Sequence, residues 1–323
     1  MKRLLTLGLV LSTMFFSSCG GSSENNSDSE GLTGEVIIDG SSTVYPLTEA
    51  VAEEFQLQNR GVKVKVSFSG TGGGFKKFLR GETHINNASR PIKESEKQAA
   101  AEKGIEYLEF EVGRDGITVV VNPQNDWVDY LTVDELRKIW APESQGVITS
   151  WAQVREGFPD EKLSLYGPGT ASGTFDFFTE AILGESGKSR GDYIASEDDN
   201  VLVQGVSGDK GGLGYFGYAY YEENKDKLKA VPIKADPESE PVLPTPETIR
   251  SGEYKPLSRP LYIYVRKDAL KNPAVAEFVR FYLENVETLA PQVGFVPPAH
   301  ETIERQLKEL EHAIQEVQQN NAS

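Results

Sequence analysis

Hydroxyl residues interleaved with glycine recur at three places, Gly40-Ser41-Ser42-Thr43, Ser69-Gly70-Thr71-Gly72-Gly73-Gly74 and Ala171-Ser172-Gly173-Thr174. Each lies between an apolar run of strand character and a run of helical character. A helix start leaves backbone N–H groups unpaired and carries the positive end of the helix dipole, and glycine lets an oxyanion approach that backbone closely. The chemistry on offer is anion binding by oriented dipoles. One such loop reads as an ordinary N-cap, where Ser and Thr are favoured for capping alone. Three in one chain point to a ligand.

Other chemistries find no pattern. His84, His300 and His312 are far apart in sequence and lack metal-ligand spacing, so neither a metal nor a cofactor is expected. There is no Gly-x-Ser-x-Gly elbow, and Ser172 has no motif-placed histidine to activate it. Gly74 is followed by Phe75, not by the Gly-Lys-Ser/Thr of a nucleotide loop. Arg190-Gly191-Asp192 matches an adhesion tripeptide, a pattern too short to carry weight. A binding protein with no catalytic residue is therefore expected over an enzyme, with a hydrolase using Ser172 as the competing reading.

The elements that must position the loops alternate. Val36-Ile37-Ile38 reads as a buried strand, and Leu47, Ala50, Val51 and Phe55 as a helical stripe. Val62, Val64, Val66 and Phe68 alternate with polar residues as a half-buried strand before a helix opening at Phe75. Strands are likewise predicted at 117–121, 163–166, 230–233 and 261–265, helices at 133–140 and 175–182, and a strand and turn over the glycine- and tyrosine-rich 213–221. From His300 onward Ile303, Leu307, Leu310, Ile314 and Val317 form an amphipathic helix expected to dock on its parent domain. This is an α/β pattern with ligand loops at the carboxyl ends of strands.

The chain opens with Lys2 and Arg3, an apolar run from Leu4 to Phe16, and Ser17-Ser18-Cys19-Gly20. That run is shorter than the roughly 20 residues a membrane span needs and has the layout of an export signal. Cys19, the single cysteine, resembles the lipidated residue of a bacterial lipoprotein, with Phe16 where that pattern usually has Leu. Residues 1–18 are thus expected to be a signal peptide and 19–34 a lipid-anchored linker, which at ~5–6 Å × √n holds the folded body roughly 20 Å from the membrane. The net charge of −16 excludes nucleic acid as a partner. It also means that any anion site must be local and enclosed.

Five strings together resemble the phosphate-binding lipoproteins of phosphate-specific ABC transporters, the PstS family: Asp39–Pro46, Ser69–Lys77, Asn87–Ile92, Ala171–Asp176 and Leu213–Tyr220. The resemblance implies a two-lobed periplasmic-binding-protein-like fold of type II, each lobe a mixed sheet flanked by helices. Lobe 1 would span 35–113 and 226–323, with lobe 2 inserted at 114–225. It further implies a periplasmic or cell-surface monomer that captures inorganic phosphate between its lobes and delivers it to a membrane permease. Carried over residue by residue, the phosphate donors would be Ser42, Thr43, Thr71, Ser172, Gly173 and Thr174.

Two positions depart from the family pattern. Better-known members have an aspartate where this chain has Arg90 and an arginine where it has Pro168. Arg90 is therefore added as a phosphate-binding candidate. Loss of the aspartate, which accepts a hydrogen bond from protonated phosphate, implies a preference for the dianion and weaker rejection of sulfate, unless Asp39 or Asp176 supplies a substitute acceptor. Sulfate or molybdate binding is the alternative within this class, and an adhesion or sensor lipoprotein is the alternative outside it.

Overall fold

The alternation of strand and helix is regular through the first third of the chain. In the computed structural model, which describes residues 31–321 apart from 171 and 197, it runs β1 (Thr33–Gly40), α1 (Tyr45–Gln58), β2 (Gly61–Val66), α2 (Thr71–Phe78), β3 (Ile85–Ala88) and α3 (Glu94–Glu102). β1 lies parallel between β2 and β3. Val36 and Ile38 of β1 meet Leu47, Val51 and Phe55 of α1 in one core, which is the apolar spacing read from the sequence.

The chain then leaves that core along β4 (Tyr107–Val121) and builds a second set: β5 (Leu131–Thr132), α4 (Val133–Trp140), β6 (Ser164–Pro168), α5 (Gly173–Leu183), β7 (Ile194–Ser196), α6 (Asp199–Gly208), β8 (Gly212–Gly217), α7 (Tyr218–Asn224), β9 (Lys229–Ala230), β10 (Ile233–Lys234) and α8 (Pro246–Ser251). It returns along β11 (Ser258–Arg266) to α9 (Pro273–Gln292) and α10 (His300–Asn321). Strand order is β2-β1-β3-β11-β4-β8-β6-β7, with β9 also on β4 and β10 paired to β5. β4 and β11 are antiparallel partners along most of their length, and a register shift at Leu261/Tyr262 skips Val112.

These two strands divide two main cores. One gathers Val36 to Val112 with Leu261 to Val317; the other gathers Ile117 to Leu257 with Val296. The architecture is the two-lobed α/β arrangement expected, with two crossovers. The cores do not divide at 225, however: Leu228, Val231, Ile233, Ile249, Tyr254 and Leu257 pack with the second lobe's apolar residues. Only after Leu257 does the chain rejoin the first.

Other differences are local. β2 ends at Val66, and Phe68 beyond it is 60% exposed instead of half-buried. After β8 the glycine- and tyrosine-rich run enters α7 in place of a turn. α10 docks as expected, burying Ile303, Leu310, Ile314 and Val317 in the first core with Leu307 packed against it. No helix among the described residues is long and apolar enough to cross a membrane.

Candidate anion-binding cleft

A cavity of about 430 Å³ opens where the parallel strands of both lobes end. From the first lobe it is lined by Ser41, Ser42 and Thr43 after β1, Gly70 and Thr71 after β2, and Ser89 and Arg90 after β3. From the second it is lined by Gly173, Asp176, Phe177 and Glu180 of α5, among others. Arg259, at the start of β11, completes it. Carboxyl ends of parallel strands gather helix starts on one side of a sheet, which is why residues distant in sequence converge there.

The helix starts are not equivalent. α1 has no side-chain cap at its N-cap residue, Val44, and α2 has none at Gly70. In α1 the Tyr45 N–H is taken by the Ser41 carbonyl at 3.1 Å and Pro46 has none to give, so the start of α2 is the one of the two that offers its first N–H groups to an anion. At α5 the Ser172 hydroxyl accepts the N–H of Thr174 at 3.2 Å, an ordinary cap. Of the sequence candidates, Ser42, Thr43, Thr71, Arg90 and Gly173 share the cavity wall, while Ser172 and Thr174 flank Gly173 and are not among its lining residues. The first loop also has an internal bond, Thr43 N–H donating to Ser41 Oγ at 3.2 Å.

The first two loops are knitted together by Asp39. Its Oδ1 accepts the Gly40 N–H at 2.7 Å and the Ser69 hydroxyl at 2.5 Å, and its Oδ2 accepts Lys77 at 2.6 Å. Burial alone would push this carboxyl's pKa up, but those donors outweigh it and hold the group below its ordinary value. Glycine is required at the seam. A Cβ on Gly74 would fall 2.0 Å from Asn86 Oδ1 and 2.4 Å from Gly40 Cα, and Gly70 adopts a φ of +77° that favours glycine. Thr71 Oγ1 ties this seam to β3 by accepting the Ser89 N–H at 3.2 Å.

Two guanidiniums reach the cavity. Arg90 is clasped by Glu96, Nη1 to Oε2 and Nη2 to Oε1 at 2.9 Å each, and Nη1 also donates to the Pro91 carbonyl. Arg259 was not anticipated. It donates through Nε and Nη2 to Asp115 Oδ2 at 3.2 and 3.1 Å and through Nη2 to Thr43 Oγ1 at 2.9 Å. Its guanidinium lies 3.9 Å from the centroid of the Phe177 ring. Asp115 stands opposite Arg259 in the β4–β11 register, a pairing that sequence patterns do not reveal.

The remaining motifs resolve simply. Arg190 is buried, 4% exposed, and bonds to Asp192, Ile139 and Ile148, so it serves the core of the second lobe. Among the described residues no cluster of three or more His, Cys, Asp or Glu is arranged to hold a metal. Cys19 and the signal-like segment lie outside the described residues.

Fold and cleft define a member of the PBP superfamily, whose domain model matches residues 25–286. Protein SphX of Synechocystis is 52% identical over 263 residues, 81% of this chain and 78% of that protein. The phosphate-binding protein PstS of Staphylococcus saprophyticus is 43% identical over 300 residues, 92% of this chain and 90% of that protein. The crystal structure of a possible phosphate binding protein from Planctomyces limnophilus superposes with a TM-score of 0.83 at 51% identity, covering 87% of this chain and 99% of that one. The chain belongs to the PstS and SphX family of binding proteins.

Proposed function

We propose that this chain is an extracytoplasmic solute-binding protein that captures inorganic phosphate in the inter-lobe cleft and delivers it to an ABC importer. The observation that carries this reading is the convergence of two helix starts without side-chain caps, their hydroxyls and two guanidiniums on one cavity between two lobes. Uncharged donors can hold a desolvated anion when enough of them converge, each charge-assisted bond contributing about 1.5–3 kcal/mol net. Relatives described as phosphate-binding support the choice of ligand. Ser42, Thr43, Thr71 and Gly173 are the donors, with Arg90 beside them. Ser172 and Thr174 act one step removed, by shaping the start of α5.

Hinged closure of the lobes on β4 and β11, monomeric action, and anchoring through a lipid on Cys19 belong to the same proposal. The anchor rests on the sequence pattern at 1–20. A hydrolytic role for Ser172 is disfavoured by its hydroxyl being engaged as a cap. Equilibrium binding of radiolabelled phosphate with sulfate and molybdate as competitors tests the reading, and turnover of a chromogenic phosphate ester tests the enzymatic one. Saturable phosphate binding without turnover is expected. Tighter binding of sulfate or molybdate would reassign the ligand.

A further inference from the structure

We infer that Arg259, carried on the strand that joins the lobes, is the principal cation for the bound anion, and that Arg90 is secondary to it. The inference rests on the phosphate reading and assigns where the ligand's charge is met.

A cation that binds an oxyanion needs N–H groups left free of other partners. A guanidinium has five N–H groups, one on Nε and two on each Nη. Arg90 turns its end to Glu96, spending both Nη1 hydrogens on Glu96 and Pro91 and one Nη2 hydrogen on Glu96. What remains is the Nε–H and one Nη2 hydrogen, side by side on one edge of the group. Arg259 turns its side to Asp115, spending Nε–H and one Nη2 hydrogen there and the other Nη2 hydrogen on Thr43. Nη1 donates to none of the described residues, so Arg259 keeps both hydrogens of one nitrogen for a ligand in the cavity it lines.

Each arginine thus keeps two hydrogens, and environment and placement favour Arg259. The Arg259 side chain is 14% exposed against 27% for Arg90, and a charge shielded from water acts more strongly on an anion. It is held rigidly by a carboxylate on one edge and an aromatic face below. The two partners beyond that carboxylate belong to different lobes. Thr43 follows β1 in the first, and Phe177 packs in the core of the second. The β11–β3 register of Tyr262 with Ala88 places Arg259 beyond the carboxyl end of β3, level with the donor loops. An anion on Nη1 is therefore held at the lobe junction by a group that touches both sides.

The experiment measures phosphate dissociation constants for the intact protein, Arg259→Gln, Arg259→Lys and Arg90→Gln. Arg259→Gln is expected to weaken binding at least 50-fold, Arg259→Lys to recover part of that loss, and Arg90→Gln to cost several times less than Arg259→Gln. Arginine side-chain ¹H–¹⁵N spectra guard against a variant that fails to fold: a phosphate-dependent guanidinium shift should persist in Arg90→Gln. The assignment is overturned if the intact protein binds phosphate and Arg259→Gln binds within threefold of it, or if the guanidinium shift vanishes in Arg90→Gln. Absence of phosphate binding by the intact protein would instead remove the phosphate reading, and the assignment with it.

Discussion

Arg90 and Glu96 meet in a two-point ion pair, each bond 2.9 Å long. Glu96 also accepts the Lys93 N–H at 2.8 Å and so closes the start of α3. Its carboxyl is pushed up by burial, yet Arg90 and the Lys93 N–H pull it further down, leaving it below the ordinary value. Arg90 thus stands at the cleft with its own neutralising partner.

Glu96→Gln should therefore release Arg90's charge toward the cleft and tighten phosphate binding by about two- to fivefold at low ionic strength, since a partly exposed pair is worth up to about 1 kcal/mol. The same change removes part of a cap and should lower stability by about 0.5–2 kcal/mol. Calorimetric titration together with thermal unfolding separates these opposite effects. Unchanged affinity would mean that Arg90 does not act on the ligand.

Asp39→Asn should loosen the seam between the first two donor loops. Lys77 loses its partner and one of the two donors on Oδ1 loses a charged acceptor, a cost of about 1–3 kcal/mol after allowing for Lys77's contact with water. Because Asp39's folded pKa is depressed, its contribution is fully present above the unfolded value near 4 and is lost as pH falls through the lower folded value. The variant should show a shallower decline of Tm as pH falls below about 4. An identical decline in both proteins would remove Asp39 from the account.

Gly74→Ala should cost about 3 kcal/mol or more, because the added methyl meets buried Asn86 and the Gly40 backbone at once. Gly208→Ala, where a Cβ meets nothing within 4 Å, should stay within about 0.5 kcal/mol. Chemical denaturation of both variants checks the contrast, and a phosphate affinity that falls only in the first would link the seam to the donors.

The loops that line the cleft were legible in the sequence because helix-start chemistry is local: a few consecutive residues carry both the glycine and the hydroxyls. Arg259 was not, because its partner Asp115 lies 144 positions away and only the register of two crossover strands brings them together. α9 gave no narrow stripe to read. It buries Ala274, Val275, Ala276, Phe278, Val279, Tyr282 and more around much of its girth, so the pattern approaches that of a wholly buried helix. Phe68 continued the alternation of β2, and the backbone still follows β1 there, with Ser67 and Ser69 N–H donating to the Ile38 and Gly40 carbonyls, but its ring stays outside the core and leans on Tyr45 with ring centroids 5.1 Å apart. The boundary between lobes at 225 was misplaced because the proline-rich stretch after it looks like surface, while its apolar residues supply the second core.

Cys19→Ser should release the protein from membranes and leave phosphate affinity unchanged, since residues 20–32, ahead of β1, separate position 19 from the folded body. Stable anchoring takes two lipid signals, and this is the single cysteine available to carry them. Sedimentation after a high-salt wash reports the outcome. A variant still recovered with the membrane fraction would refute the lipid anchor.

The last expectation concerns selectivity, where the absent family aspartate suggested a preference for the dianion and tolerance of sulfate. Asp39 is no substitute acceptor, being committed to Gly40, Ser69 and Lys77. Asp176 is a better one: it lines the cavity one turn before Glu180 on α5. A carboxylate there can accept a hydrogen bond from either phosphate species present between about pH 6 and 8, because both retain a proton, whereas sulfate has none to give and is repelled. The intact protein should accordingly resist sulfate at a thousandfold excess. Asp176→Asn should bind sulfate at least tenfold better, its amide donating where the carboxylate repelled, and its phosphate affinity should rise from pH 6 to 8 as the dianion replaces the monoanion. Competition titrations at both pH values decide the matter. Equal sulfate rejection by the two proteins would move the selectivity away from Asp176 and onto the arginines and helix starts.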